Sequence, residues 1–273
     1  YEILMPLIAL ILLPVILIAL AIQPKFRAGF FQKLGFYKNN LNGEKTTVFH
    51  AVSVGETNAI ADTVKVYRQK YPDRKIVVTN TTKTGHDIAC KIFKDVADEI
   101  TYFPFDFDFA VNSFFDKFNP EKIVIAETEI WPAFVYEAKQ RGINVYIANG
   151  RISPHSYKGY KKFSFIFKRV LCLYEKIFMQ TKADCQRIID IGAPFEKVEF
   201  MGNLKFDITR NLSGEEQQAL RDRFHVHYPV LIAASTHEGE DEIALETFKK
   251  LKEKHGEIKM LIAPRHPQRF DAV

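Results

Sequence analysis

Glu56 follows a glycine in His50-Ala51-Val52-Ser53-Val54-Gly55-Glu56. A second acidic pair, Glu127 and Glu129, flanks a threonine in Ala126-Glu127-Thr128-Glu129-Ile130-Trp131-Pro132. A carboxylate held in a cleft can take a proton from an attacking hydroxyl, so each is a candidate general base. The plain alternative for Glu56 is a first-turn carboxylate favoured by the helix dipole by about 0.3–1 kcal/mol. That accounts for the glutamate but not for Ser53 and Gly55 before it. The alternative for Glu127 and Glu129 is two solvated acids ahead of a helix. Their place directly after the apolar run KIVIA favours a site, and alternation in an extended segment points both to one side.

Other polar segments follow apolar runs in the same way. Thr79-Asn80-Thr81-Thr82-Lys83-Thr84-Gly85-His86 suits an anion or sugar hydroxyls, or else simple N-capping. Asp106-Phe107-Asp108 has the spacing of a metal–diphosphate pair; it reads instead as an N-cap at Asp106 and a first-turn acid at Asp108, with no metal. Asn149-Gly150-Arg151-Ile152-Ser153 precedes a stretch with no acid between Glu137 and Glu175. There Arg151, Lys158, Lys161, Lys162, Lys168 and Arg169 interleave with Tyr157, Tyr160, Phe163, Phe165 and Phe167. Such a surface suits single-stranded nucleic acid, an anionic lipid, or a helix with aromatics turned to the core. Further on come Asn203 and Lys205, then Ser235 and Thr236 before a helix, then Arg265 and His266. Hydroxyls at a helix start with Arg and His nearby suit a phosphate. His50, inside an apolar strand, reads as a hydrogen-bonded core histidine, and His86 and His237 as ordinary rim residues.

The elements that must position these residues alternate. Strands are expected at 46–51, 75–79, 99–103, 122–127, 144–149, 176–180 and 197–203. Helices are expected at 56–70, 85–96, from about 107, from Pro132, and at 182–191 with Gly192 as the stop. Ile60, Val64 and Tyr67 form one helical stripe. This βα alternation predicts a parallel sheet covered on both faces, with ligands at the C-terminal ends of its strands. Ser213 and Glu216 form a capping-box pattern, and strands at 228–235 and 259–264 bracket a helix at 240–254. Residues 46–207 thus read as one Rossmann-like domain and 208–273 as the first part of another.

The 273 residues are 47% apolar and 26% charged with a net charge of +5, which excludes a disordered or low-complexity chain. Cys90, Cys172 and Cys185 lack CxxC spacing, so neither a disulfide framework nor a structural zinc site is expected. From Ile3 to Ile22 no residue is charged, which matches the length of a membrane-crossing helix; residues 1–24 therefore read as an anchor. Lys25, Arg27, Lys33 and Lys38 follow it and place the bulk of the chain in the cytoplasm. Residues 25–45 read as a basic, aromatic membrane-proximal segment, with Phe30 and Phe31 at the interface. The anchor favours lipid over nucleic acid for the segment after Arg151.

Taken together, HAVSVGE, TNTTKTG, AETEIWP, NGRIS, GNLKFD, AASTHEGE and APRHP, in this order and approximate spacing, resemble the Kdo transferases. These enzymes add 3-deoxy-D-manno-octulosonic acid (Kdo) to the lipid A precursor. The resemblance implies an α/β GT-B fold of two Rossmann-like domains, the first for the acceptor and the second for the donor, CMP-Kdo. It implies inverting transfer to lipid IVA at the inner membrane, without metal or cofactor. Glu56 matches the catalytic glutamate. Ser53, Gly55, Thr82, Glu127, Glu129 and Arg151 fall on acceptor-side or supporting positions. Asn203, Lys205, Ser235, Thr236, Arg265 and His266 fall on donor-side positions. The family's Gly-Gly and Asn…Glu-Pro donor loop is not found in these residues. A second class is a membrane-tethered, non-catalytic binder of an anionic lipid or nucleotide; a buried Glu56 paired with an arginine would favour it.

Overall fold

The computed structural model describes residues 27–38, 41, 43–206, 212–226 and 229–273. The expected anchor, residues 1–24, lies outside them. Among the described residues no helix is long and apolar enough to cross a membrane. The chain divides into two compact units, Tyr1–Ile208 and Thr209–Val273.

In the first unit, α1 (Phe30–Lys33) precedes β1 (Thr46–His50), α2 (Val54–Ala59), α3 (Ala61–Lys70), β2 (Lys75–Asn80), α4 (Lys83–Ile92) and β3 (Glu99–Tyr102). Then come α5 (Asp108–Phe118), β4 (Pro120–Ala126), α6 (Pro132–Gln140) and β5 (Asn144–Gly150). The unit continues with α7 (Pro154–Lys162), α8 (Ser164–Leu171), β6 (Lys176–Met179), α9 (Lys182–Ile191) and β7 (Val198–Phe200). The strands form one sheet in the order β3-β2-β1-β4-β5-β6-β7, and every pair is parallel. β1 lies inside the sheet and all five of its residues are buried, as a strand covered on both faces requires. Period-two alternation splits the core. Val48, Val77 and Ile123 pack on one side with Phe114 and Phe134. Phe49, Ile76 and Val78 pack on the other with Val64 and Phe93.

The α/β class with a parallel sheet is as expected, and the departures are local. The helix expected over 56–70 is two, with Ile60 closing one and opening the next. Ile60 and Val64 are buried, and Tyr67 packs beside them. Asp106 does not cap the helix that follows it. That helix starts at Asp108 with Phe107 as N-cap. The Asp106 carboxylate instead accepts the Ala133 and Phe134 N–H groups at 3.1 and 2.8 Å, capping α6 from another loop. Pro132 opens α6 without an N–H of its own, so the two amides behind it need this outside acceptor.

Part of the segment 25–45 is built into the core. Tyr37 and Leu41 join the main cluster, and Lys33 is buried with its ammonium over the Tyr102 ring. Phe31 remains 71% exposed. The basic aromatic stretch also divides. Tyr157, Tyr160 and Phe167 pack against the core, whereas Phe163, Phe165 and Ile166 stay exposed.

The second unit holds α10 (Gly214–Arg223), β8 (Val230–Thr236), α11 (Glu240–His255) and β9 (Lys259–Pro264). β8 and β9 pair in parallel. Ser213 and Glu216 form the full capping box.

Candidate functional site

The C-terminal ends of β1 and β4, neighbours in the sheet, bring three carboxylates together. Glu56 sits in the first turn of α2 and is buried. Its Oε2 accepts the Val52 N–H at 2.5 Å, and its Oε1 accepts the Ser53 hydroxyl at 3.0 Å. No arginine is involved in these contacts. Gly55 beside it is exposed, and an added Cβ would meet only the Ser53 Oγ, at 3.9 Å. Among the described residues no other atom lies within 4 Å of that position.

Glu127 and Glu129 are within electrostatic reach of Glu56. Burial, and then Glu56, raise the Glu127 carboxyl above its ordinary range, while Lys205 and Arg151 oppose the rise. Burial raises Glu129 further, to about 7, with Glu56 and Glu127 adding to it. The two side chains do not share a side by strand alternation, because Glu127 has a left-handed backbone, φ 59°. A non-glycine residue held there stores strain, a feature concentrated at functional sites. The loop is tied down by Thr128, whose hydroxyl accepts the Arg151 N–H and donates to the Arg151 carbonyl. The buried Tyr174 hydroxyl donates to the Glu129 carbonyl at 3.3 Å.

Thr82 acts as a support rather than a free ligand. Its hydroxyl accepts the Gly85 N–H and donates to the Val52 carbonyl, and its own N–H also reaches that carbonyl. It thus joins α4 to the turn that carries Glu56. Gly85 is required for this approach, since a Cβ there would lie 3.0 Å from the Val52 oxygen. Asn203 and Lys205 belong to the first unit, where the Lys205 charge acts on the Glu127 carboxyl. His50 is the core histidine expected. It is fully buried, its Nδ1 is 3.0 Å from the Thr79 hydroxyl, and burial lowers its pKa to about 3.

In the second unit, Ser235 has φ 62° at the end of β8. Arg265 and His266 follow β9, with the His266 ring 6.1 Å from that of His237. The Thr236 carbonyl accepts the Arg265 N–H and the Arg269 guanidinium. The Thr236 hydroxyl and the Arg269 guanidinium hold the Asp241 carboxyl below its ordinary range. Among the described residues no group of three His, Cys, Asp or Glu side chains could hold a metal.

Sequence reasoning singled out the carboxylates but not three residues whose contacts tie the loops around them: Asp106 in its role toward α6, Thr128, and Asn149. Asn149 had a legible signal. Asn-Gly at a strand end marks a left-handed position, and Asn149 has φ 59°.

A doubly wound parallel sheet with an acidic rim, followed by a second βαβ unit, defines an α/β protein of the GT-B type. The chain is similar to UDP-GlcNAc 2-epimerase from Neisseria meningitidis, at TM-score 0.53 and 18% identity over 83% of this chain and 66% of that one. A Listeria monocytogenes protein described as a putative UDP-N-acetylglucosamine 2-epimerase gives TM-score 0.51 at 12% identity, over 80% and 62% of the two chains. At these identities the likeness shows the fold alone. The family is shown by sequence: residues 28–208 match the model for 3-deoxy-D-manno-octulosonic-acid transferase (kdotransferase), and the chain belongs to that family. It is 33% identical to the 3-deoxy-D-manno-octulosonic acid transferase of Haemophilus influenzae over 92% of this chain and 59% of the relative. It is 35% identical to a bifunctional glycosyltransferase/methyltransferase of Fusobacterium nucleatum over 86% of this chain and 36% of that protein. The chain therefore spans between about a third and three fifths of the length of these two relatives.

Proposed function

We propose that this chain provides the acceptor half, and the opening part of the donor half, of a membrane-anchored enzyme transferring Kdo from CMP-Kdo to the lipid A precursor. The observation that carries this reading is the convergence of Glu56, Glu127 and Glu129 at one sheet rim, with the charges of Lys205 and Arg151 acting on Glu127. The acceptor hydroxyl oxygen attacks the Kdo anomeric carbon as the bond from that carbon to the CMP phosphate oxygen breaks. CMP leaves with the electron pair, and Glu56 takes the hydroxyl proton. Direct displacement of this kind inverts the anomeric centre. The Val52 amide and Ser53 hydroxyl fix the carboxylate before reaction, so no reorganisation is needed at the moment of transfer.

Glu127 and Glu129 position the acceptor, and Arg151 suits its phosphates. Asn203, Lys205, Ser235, Thr236, Arg265 and His266 are assigned to the donor. CMP leaves with a single phosphate, which lysine, arginine and a helix N-terminus can neutralise, so the reading assigns no metal or cofactor. The alternative of a non-catalytic binder expected a buried Glu56 paired with an arginine. Glu56 is buried, but among the described residues its hydrogen bonds are to Val52 and Ser53 rather than to an arginine, which supports the transferase. The test is transfer of Kdo from CMP-Kdo to lipid IVA by the full-length protein, with and without a chelator. Transfer that survives exhaustive chelation is expected; no transfer under any condition sinks the proposal, and loss restored by Mg²⁺ sinks its metal-free part.

A further inference from the structure

Asn149 carries two costs that the fold itself does not require. Its backbone is left-handed, and its Nδ2, fully buried, has no hydrogen-bond partner among the described residues. A buried donor left unmade costs roughly 1–3 kcal/mol. A glycine would serve the backbone without either cost. The other end of the side chain is committed: Oδ1 accepts the Leu204 N–H at 3.1 Å, across 55 residues of sequence. The Asn149 carbonyl accepts from the Gln180 side chain at 2.9 Å, which fixes the residue from the neighbouring strand. Leu204 in turn packs against the smaller core cluster, which includes Ala126 at the end of β4. The next residue, Lys205, is exposed, its charge acts on the Glu127 carboxyl, and its amide donates to the Asn203 side chain at 3.0 Å.

We propose that Asn149 is a positioning residue of the acidic site: by holding the Leu204 amide it keeps the loop that carries Lys205 at the end of β4, where the segment of Glu127 and Glu129 begins. The inference rests on reading that rim as the reaction centre. Three charged groups act on the Glu127–Glu129 pair from the elements around it, and one acts within it. Glu56 on α2 acts on both carboxyls, Glu127 acts on Glu129, and Arg151 after β5 and Lys205 after β7 act on Glu127. Arg151 is tied through its own backbone to Thr128. Lys205 follows a loop that the Asn149 side chain ties across the sequence, alongside the packing of Leu204 and the local Asn203 bond. Releasing that loop leaves Glu127 with Glu56 as its acidic neighbour and Arg151 to offset it, so its protonated form is favoured.

The test is a carboxyl titration, by ¹³C NMR, of the full chain labelled at glutamate Cδ, at low ionic strength. The Glu127 signal is identified by its loss in Glu127→Gln. Asn149→Gly keeps the left-handed backbone and removes the tether. Lys205→Met removes the charge itself. Leu204→Pro deletes the donor while leaving Asn149 in place, at the start of a short 3-10 turn that tolerates proline. Each is expected to shift the Glu127 midpoint upward, and Asn149→Gly combined with Lys205→Met is expected to shift it no further than Lys205→Met alone. An unmoved midpoint in Lys205→Met, or additive shifts in the double variant, overturns the proposal. If Asn149→Gly does not fold, Leu204→Pro decides: an unmoved midpoint there overturns it as well. In a transfer assay the tether variants are expected to lower kcat about tenfold or more. The titration needs no turnover, so a chain with coupled shifts and no Kdo transfer fails the functional reading and not this one.

Discussion

The Thr128 hydroxyl closes on the backbone of Arg151 from both directions, accepting its N–H at 2.9 Å and donating to its carbonyl at 2.8 Å. One side chain thereby does what a strand residue's backbone does, beyond the point where β4 and β5 stop pairing. It holds the strained loop of Glu127 and Glu129 against the loop carrying Arg151. Thr128→Val keeps the shape and removes both bonds. At about 1 kcal/mol per bond, a loss of about 1–2 kcal/mol in stability is expected. Turnover should fall more than stability alone explains, while Thr128→Ser should retain both. Thermal unfolding and transfer kinetics on the three proteins check this.

Glu56→Gln is expected to leave the fold intact, because the carboxamide oxygen still accepts the Val52 N–H and its NH₂ can donate to Ser53. It can no longer take a proton. Turnover of the full-length enzyme should drop by about 10²–10⁴-fold, the usual contribution of a positioned base. A purely helix-stabilising Glu56 would give near-normal turnover with a small loss of stability. Measuring both on one protein separates the two outcomes.

Glu129 makes stability depend on pH in a definite direction. Its folded pKa is about 7, against an ordinary value of 4.5. Between those values the folded chain holds a proton that the unfolded chain has released. This stabilising contribution is complete below the unfolded value and is lost as pH rises through about 7, at no more than about 1.4 kcal/mol per pH unit. Glu127 is raised as well and acts in the same sense. Denaturant midpoints should therefore decline from pH 5 to pH 8, and Glu129→Gln should flatten the decline. A wild-type midpoint that rises over this range contradicts the assignment.

The membrane reading rests on the uncharged run from Ile3 to Ile22. Removing residues 1–24 is expected to move the protein from the membrane to the soluble fraction. Residual attachment is assigned to exposed Phe163, Phe165 and Ile166 with their neighbouring lysines, and it should weaken with salt. Retention of the shortened protein on membranes at high salt would count against both parts.

Element type and many element ends were legible in the sequence because their causes are local. Apolar alternation marked the strands. Pro132, Gly192 and the Ser213–Glu216 pair marked helix ends through groups within one turn of each other. The prominence of Glu56, Glu127 and Glu129 was also legible, since a carboxylate directly after a buried strand stands out against its neighbours. What each contacts was decided only by tertiary structure. Asp106 reads as the cap of its own helix, yet it caps α6, because the β3 loop and the start of α6 meet in space and α6 begins with a proline. Thr128 meets Arg151 across 23 residues and Asn149 meets Leu204 across 55. Hydrogen-bond partners such as these are chosen by the order in which parallel strands lie side by side, and periodicity along one segment carries no information about that order.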